Sequence, residues 1–189
     1  MKLRISELDI YIGYEVAAAM TAALILDREN RVIFCVLAAA MHELGHYVMM
    51  RLCSVRVRGL RLRLFDVLIE SDEPQSFKSD VLITLAGPAV NLISAAALFP
   101  LGTKLWLPQA ALGIFNLLPV MSLDGGHLLR ICMERRFSPH PCDIVLRITT
   151  FLIALPLMTA GIYLLFNSEY NYSFLAISLY LLFILFLKS

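Results

Sequence analysis

Apolar residues in this chain gather in long runs separated by short polar stretches, which is the pattern of a helix hydrophobic on every side. Five runs have the length of membrane helices and a sixth is shorter: residues 10–26, 32–52, 81–98, 108–123, 144–166 and 174–187. A straight span needs about 20 apolar residues, and tilt or flanking anchors accommodate a few fewer or more. Tyr170 and Tyr172 suit the interface before the last run, and Lys188 ends it. Between the second and third runs the period changes. Val55-Arg56-Val57-Arg58 alternates, Gly59 interrupts, and Leu60-Arg61-Leu62-Arg63-Leu64 alternates again. Period two predicts strands, with a bulge or turn at the glycine. The predicted fold class is an all-α polytopic membrane protein of about six transmembrane helices, with a small β segment between helices two and three.

Composition supports that reading. The 189 residues are 59% hydrophobic and 16% charged, with a mean hydropathy of +0.76. A soluble domain is about half apolar and about a quarter charged. The net charge of +1 argues for neither nucleic acid nor an acidic partner. The placement of charge is more informative than its sum. With the six runs laid across a bilayer, Arg28, Arg31 and Lys104 fall on one side and the other 13 of the 16 Lys and Arg residues on the opposite one. The rich side is expected to be cytoplasmic, with both termini there. Lys2 and Arg4 precede the first run, but Glu15 interrupts it and a second run follows, so a retained span is expected rather than a cleaved signal. Cys35, Cys53, Cys132 and Cys142 form no Cys-x-x-Cys pair and are read as free thiols. Residues 70–80, with Pro74 and several acids, read as a polar loop, and no repeat or second soluble domain is evident.

The second run ends in His42-Glu43-Leu44-Gly45-His46. On a helix, histidines four apart share a face and can converge on one ion. Neutral imidazoles suit zinc, and a helical H-E-x-x-H is the metallopeptidase signature, with Glu43 placed to reach water at the metal. The alternative is a pair of histidines bonding between helices. Against it, two histidines and a glutamate at the end of so apolar a run are costly to bury without partners. A catalytic zinc takes a third protein ligand. The extended metzincin form fails, because Met49 and Leu52 occupy its glycine and final histidine positions. Asp124 is the better candidate: it ends the fourth run at a depth comparable with His46, where Pro119 and the paired Gly125 and Gly126 interrupt the helix. His127 is the rival, Glu70 and Glu73 are further options in the polar loop, and His140 reads as a turn residue between Pro139 and Pro141.

Three blocks in this order carry a family resemblance: His42-Glu43-Leu44-Gly45-His46, Ala86-Gly87-Pro88-Ala89-Val90-Asn91, and Asn116-x-x-Pro119 leading to Leu123-Asp124-Gly125. The chain resembles the site-2 proteases, the intramembrane zinc metalloproteases of peptidase family M50. The six-span layout is most similar to the branch that includes the sporulation-factor processing proteases. The resemblance implies Zn2+ as cofactor, Asp124 as third ligand beside His42 and His46, Glu43 as base, and Asn116 as a polar group on substrate or oxyanion. It also implies a multi-pass protein of a bacterial cell membrane, acting on the transmembrane segment of another membrane protein within the lipid bilayer. The Gly-Pro-x-x-Asn block looks like a family marker whose own role is close helix packing through Gly87. Many relatives carry a PDZ domain between the blocks or a CBS domain after them. Residues 1–189 are expected to form a single membrane-embedded metalloprotease domain without either, which leaves room for an external regulatory membrane protein.

The activity expected from these residues is hydrolysis of a peptide bond in or next to a substrate's membrane segment, at a site nearer the cytoplasmic side. The basic strip at residues 55–64 would rest on anionic headgroups, or offer a strand edge to an unwound substrate. The alternative of another class is a non-catalytic membrane zinc-binding protein, a transporter or a pseudoprotease. Transport favours ligands on both sides of the bilayer, whereas these cluster on one, and a pseudoprotease is expected to lack the base or a ligand.

Overall fold

The computed structural model describes residues 2–5, 8–12, 27, 31–55, 57–63, 66–71 and 76–167. Most of these are helical. In chain order the elements are β1 (Lys2–Ile5), β2 (Leu8–Ile12), α1 (Arg31–Leu52), β3 (Val57–Arg63), β4 (Asp66–Ser71), α2 (Phe77–Leu98), a 3-10 turn at Phe99–Leu101, α3 (Trp106–Asn116), α4 (Asp124–Met133) and α5 (Pro139–Asn167). The strands form one sheet in the order β1-β2-β3-β4, antiparallel except for the parallel β2–β3 pair, with a register shift between Val57 and Gly59. The first apolar run overlaps β2 at residues 10–12, and its remainder lies outside the described residues, as does the sixth run.

Among the described residues, three helical stretches are long and apolar enough to cross a membrane: Val32–Leu52, Phe77–Leu101 and Pro139–Tyr163. Their surfaces are sorted in the reverse of a soluble helix. On α1 the buried positions Ala38, His42, His46 and Met50 recur every fourth residue, while Ile33, Leu37, Leu44 and Val48 are exposed. On α2 the buried face is Thr84, Gly87, Pro88, Asn91 and Ala95, whereas Ile93 is 69% exposed. Small and polar groups face inward and large aliphatic ones outward, the arrangement suited to lipid. The chain is an integral membrane protein.

The fold divides into two compact units, residues Met1–Ile114 and Phe115–Ser189. Within the first, α1 and α2 form the principal helix pair. Gly45 makes their approach possible, since a Cβ there would stand 2.8 Å from the Ala86 carbonyl oxygen. The end of α1 is closed by a Schellman pair: Val55 N–H donates to the Met50 carbonyl at 2.9 Å, and Ser54 N–H to the Arg51 carbonyl at 3.1 Å. Val55 and Met50 then pack with Ile83 in a buried cluster. The next helix starts on Ser76, whose hydroxyl accepts from Ser79 N–H at 3.2 Å. That cap and Asp80 place four polar-flanked residues ahead of the apolar run, so α2 begins at Phe77 rather than at residue 81.

In the second unit the fourth apolar run is broken. Helix α3 stops at Asn116, and residues 117–123 turn back through short bonds such as Val120 N–H to the Leu118 carbonyl at 2.7 Å. Pro119 has no N–H to extend the helix, and it disfavours helical geometry at Leu118. Gly125 and Gly126, expected to interrupt the helix together with Pro119, do not do so. They lie in the first turn of α4, where a Cβ would meet the Leu117 carbonyl oxygen at 2.2 Å or the Val120 carbonyl oxygen at 1.9 Å. Their lack of side chains lets the loop fold onto the helix start. Leu118, Val120 and Leu123 pack on Ile153, Ala154 and Leu157 of α5. Thr150, buried on the same helix, accepts from Met121 N–H at 3.0 Å and donates to the Leu146 carbonyl at 2.6 Å. An Arg130–Asp143 ion pair also joins α4 to α5. His140, read as a turn residue, sits instead in the first turn of α5 and is exposed.

Ser54 holds the left-handed position of the Schellman pair at φ 58°, where a β-carbon is disfavoured by roughly 1 kcal/mol. Ser54→Gly is therefore expected to stabilise the protein by about that amount, read as a raised thermal midpoint in detergent. An unchanged or lowered midpoint would show that the serine is not strained there.

Candidate metal centre

Helix α1 brings His42 and His46 together on its buried face, 6% and 8% exposed. Their rings meet edge to face, with centroids 4.7 Å apart and planes at 82°. Each ring is held through Nδ1 by α2. His46 Nδ1 lies 2.7 Å from the Ile83 carbonyl oxygen, and His42 Nδ1 lies 3.2 Å from Asn91 Oδ1. A carbonyl can only accept, so His46 carries its proton on Nδ1. The Asn91 amide is oriented in the same way, because its Nδ2 donates to the Ala38 carbonyl at 3.2 Å. Its Oδ1 is therefore the acceptor, and His42 too is protonated on Nδ1.

The consequence is chemical. With both protons on Nδ1, each neutral ring presents its Nε2 lone pair, and the two Nε2 atoms are 3.1 Å apart. Two lone pairs at that distance repel each other and attract a cation. Two nitrogens about 2.0–2.1 Å from one zinc ion and near the tetrahedral angle are separated by roughly 3.3 Å. Gly87 keeps this region open: a Cβ there would stand 2.4 Å from His46 Nε2 and 2.8 Å from His42 Cε1. Donor type, tautomer and clearance all fit zinc.

Glu43 follows His42 on α1 and is half-buried. Asn116 and Asp124 belong to the second unit, on the two sides of its helix break. Asn116 is the last residue of α3, and Asp124 is the first of α4, both half-buried. Asp124 follows Leu123, whose extended backbone (φ −109°, ψ 163°) turns the chain into the new helix. A carboxylate in that first turn is favoured by the helix dipole. His127, the rival ligand, is exposed on α4. Glu70 is on β4, and Glu73 lies outside the described residues. The four cysteines form no disulfide, and only Cys142 is buried.

Asn91 was not singled out by sequence reasoning, which read its block through Gly87 as helix packing. Gly87 does lie at a close approach, but against the imidazoles as much as against the neighbouring helix. The sequence shows an amide within an apolar run, which calls for a partner without naming it; the structure shows that amide fully buried.

Comparison with known proteins agrees with this chemistry. Residues 101–157 match the family model for peptidase family M50. A putative zinc metalloprotease of Synechocystis sp. is 35% identical over 107 residues, 47% of this chain and 27% of the relative. The putative zinc metalloprotease Rip3 of Mycobacterium tuberculosis is 36% identical over 112 residues, 50% of this chain and 28% of the relative. The matched segments thus span little more than a quarter of these relatives' length. The structure of a site-2 protease from Methanocaldococcus jannaschii shares the fold, with a TM-score of 0.71 over 97% of this chain and 92% of that one at 20% identity. With its H-E-x-x-H helix, the chain is similar to peptidase family M50 over residues 101–157 and to these zinc metalloproteases over about half its length, and it shares the fold of a site-2 protease.

Proposed function

We propose that the protein is an intramembrane zinc metalloprotease that hydrolyses peptide bonds in or next to the transmembrane segments of other membrane proteins. The observation that carries this reading is the His42–His46 pair, whose Nε2 lone pairs converge at 3.1 Å on a helix apolar enough to cross a bilayer. The curated relatives named as zinc metalloproteases support the same chemistry. The proposed ligands are His42, His46 and Asp124. When bound there, zinc supplies Lewis acidity towards the scissile carbonyl and activates water at neutral pH.

The remaining roles fall to the chain's own side chains. Glu43 takes the proton of the attacking water and returns it to the leaving amine. Asn116 donates a hydrogen bond to the oxygen on which charge develops. A substrate helix hides its carbonyls in its own hydrogen bonds, so it must unwind locally, and helix-breaking residues near the cut favour this. In this reading the chain crosses the membrane about six times with both termini in the cytoplasm. The site then opens toward that side, the β segment lies beside it, and a further membrane protein regulates access. The bias of 13 basic residues to one side supports that orientation.

Three substitutions test the reading. Glu43→Gln keeps the shape and removes the base, so zinc content is expected to persist while cleavage of a model membrane substrate falls by about 100-fold or more. Cleavage at the wild-type rate would remove Glu43 from the mechanism. Asp124→Ala is expected to lower zinc occupancy of the purified protein; full occupancy would redirect the third position to His127 or a loop glutamate. Gly87→Ala should retain its helical signal by circular dichroism, since alanine favours helix over glycine by about 1 kcal/mol. It should nonetheless lose zinc, because the added methyl group occupies the space beside both rings, and undiminished zinc would contradict that geometry.

A further inference from the structure

The two proposed histidine ligands are held by different kinds of acceptor. His46 is tied to a backbone carbonyl, which no substitution of Ile83 removes. His42 is tied to a side chain, Asn91, from a different helix and 49 residues away in sequence. Asn91 is 0% exposed, and both ends of its amide are engaged, Oδ1 with His42 Nδ1 and Nδ2 with the Ala38 carbonyl. Ala38 precedes His42 by one turn of α1. The amide therefore bridges the backbone of α1 to the ring that projects from the next turn.

We infer that Asn91 is a positioning residue for the metal site: it fixes the Nδ1–H tautomer and the ring rotation of His42, so that Nε2 faces the ion. The inference rests on reading His42 as a ligand. The physical argument is that a buried imidazole without a fixed acceptor at Nδ1 has two tautomers and a free ring rotation, and only one combination offers Nε2 to the ion. The second hydrogen bond matters equally, because it prevents the amide from rotating to offer its NH2 to the ring. Gly113 lies against the same residue, where a Cβ would stand 3.2 Å from Asn91 Cβ, so α3 backs the amide as it points toward α1. Partners of this kind set metal affinity by about 10- to 100-fold in general.

The test compares variants that keep or lose the acceptor in one volume. Zinc dissociation constants are measured by chelator competition on detergent-purified wild type, Asn91→Asp and Asn91→Leu, with the absorption spectrum of the cobalt-substituted forms as a second readout. Asn91→Leu is expected to weaken zinc by about 10- to 100-fold and to alter the cobalt bands. Asn91→Asp retains an oxygen for Nδ1–H and is expected to stay within about threefold of wild type. If the leucine chain does not fold, Asn91→Ala removes the acceptor without added bulk and is expected to weaken zinc in the same direction. Wild-type affinity and an unchanged cobalt spectrum in the variant lacking the acceptor would overturn the inference, as would an aspartate variant as weak as that one. Failure of the wild type to bind zinc would overturn the metal site itself, and this role with it.

Discussion

Two hydrogen bonds from the imidazoles of α1 to acceptors on α2 set the character of the site. By holding a proton on each Nδ1, the Ile83 carbonyl and Asn91 Oδ1 turn both Nε2 lone pairs toward one point, 3.1 Å apart. Left to themselves, two neutral rings would avoid that arrangement by exchanging tautomer or rotating. The fold prevents both. Its close helix approach through Gly45 and the open space at Gly87 serve the same end, since each removes a side chain that would push the helices or the rings apart.

The bilayer explains why the polar groups gather here. Apolar side chains gain little by leaving lipid for another helix, so helices associate through small residues and hydrogen bonds. The inner face of α2 is built accordingly from Thr84, Ala86, Gly87, Pro88, Asn91 and Ala95. Each of its polar members needs a partner, because an unsatisfied buried polar group costs about 1–3 kcal/mol. Asn91 and the histidines meet that demand together. In the second unit the same constraint governs the helix break, where Thr150 accepts the Met121 N–H that an interrupted helix exposes.

Much of this was legible in the sequence, and the failures have physical causes. The second apolar run, residues 32–52, matches α1 closely because its end is marked by Arg51 and the residues that close the Schellman pair. Hydropathy places the start of α2 four residues late, since it does not register a polar first turn capped by Ser76. Pro119 marks a break in the fourth run, but hydropathy carries the run on to residue 123 although the helix ends at Asn116, because an apolar loop packed on α5 is as hydrophobic as a span. Along the sequence, Gly125 and Gly126 look like helix breakers. Their need for space, against the carbonyls of Leu117 and Val120, belongs to the folded loop and has no signature along the chain. The H-E-x-x-H pair announced itself through its spacing, whereas Asn91 depends on a contact across 49 residues that no local pattern encodes.

The most direct measurement of the central claim is X-ray absorption at the zinc edge on the purified, membrane-derived protein. Convergent imidazoles predict first-shell scattering by nitrogen and oxygen at about 2.0–2.1 Å, with the outer-ring signature of two histidines. Scattering from sulfur at about 2.3 Å would assign the metal to cysteines instead, and contradict the account.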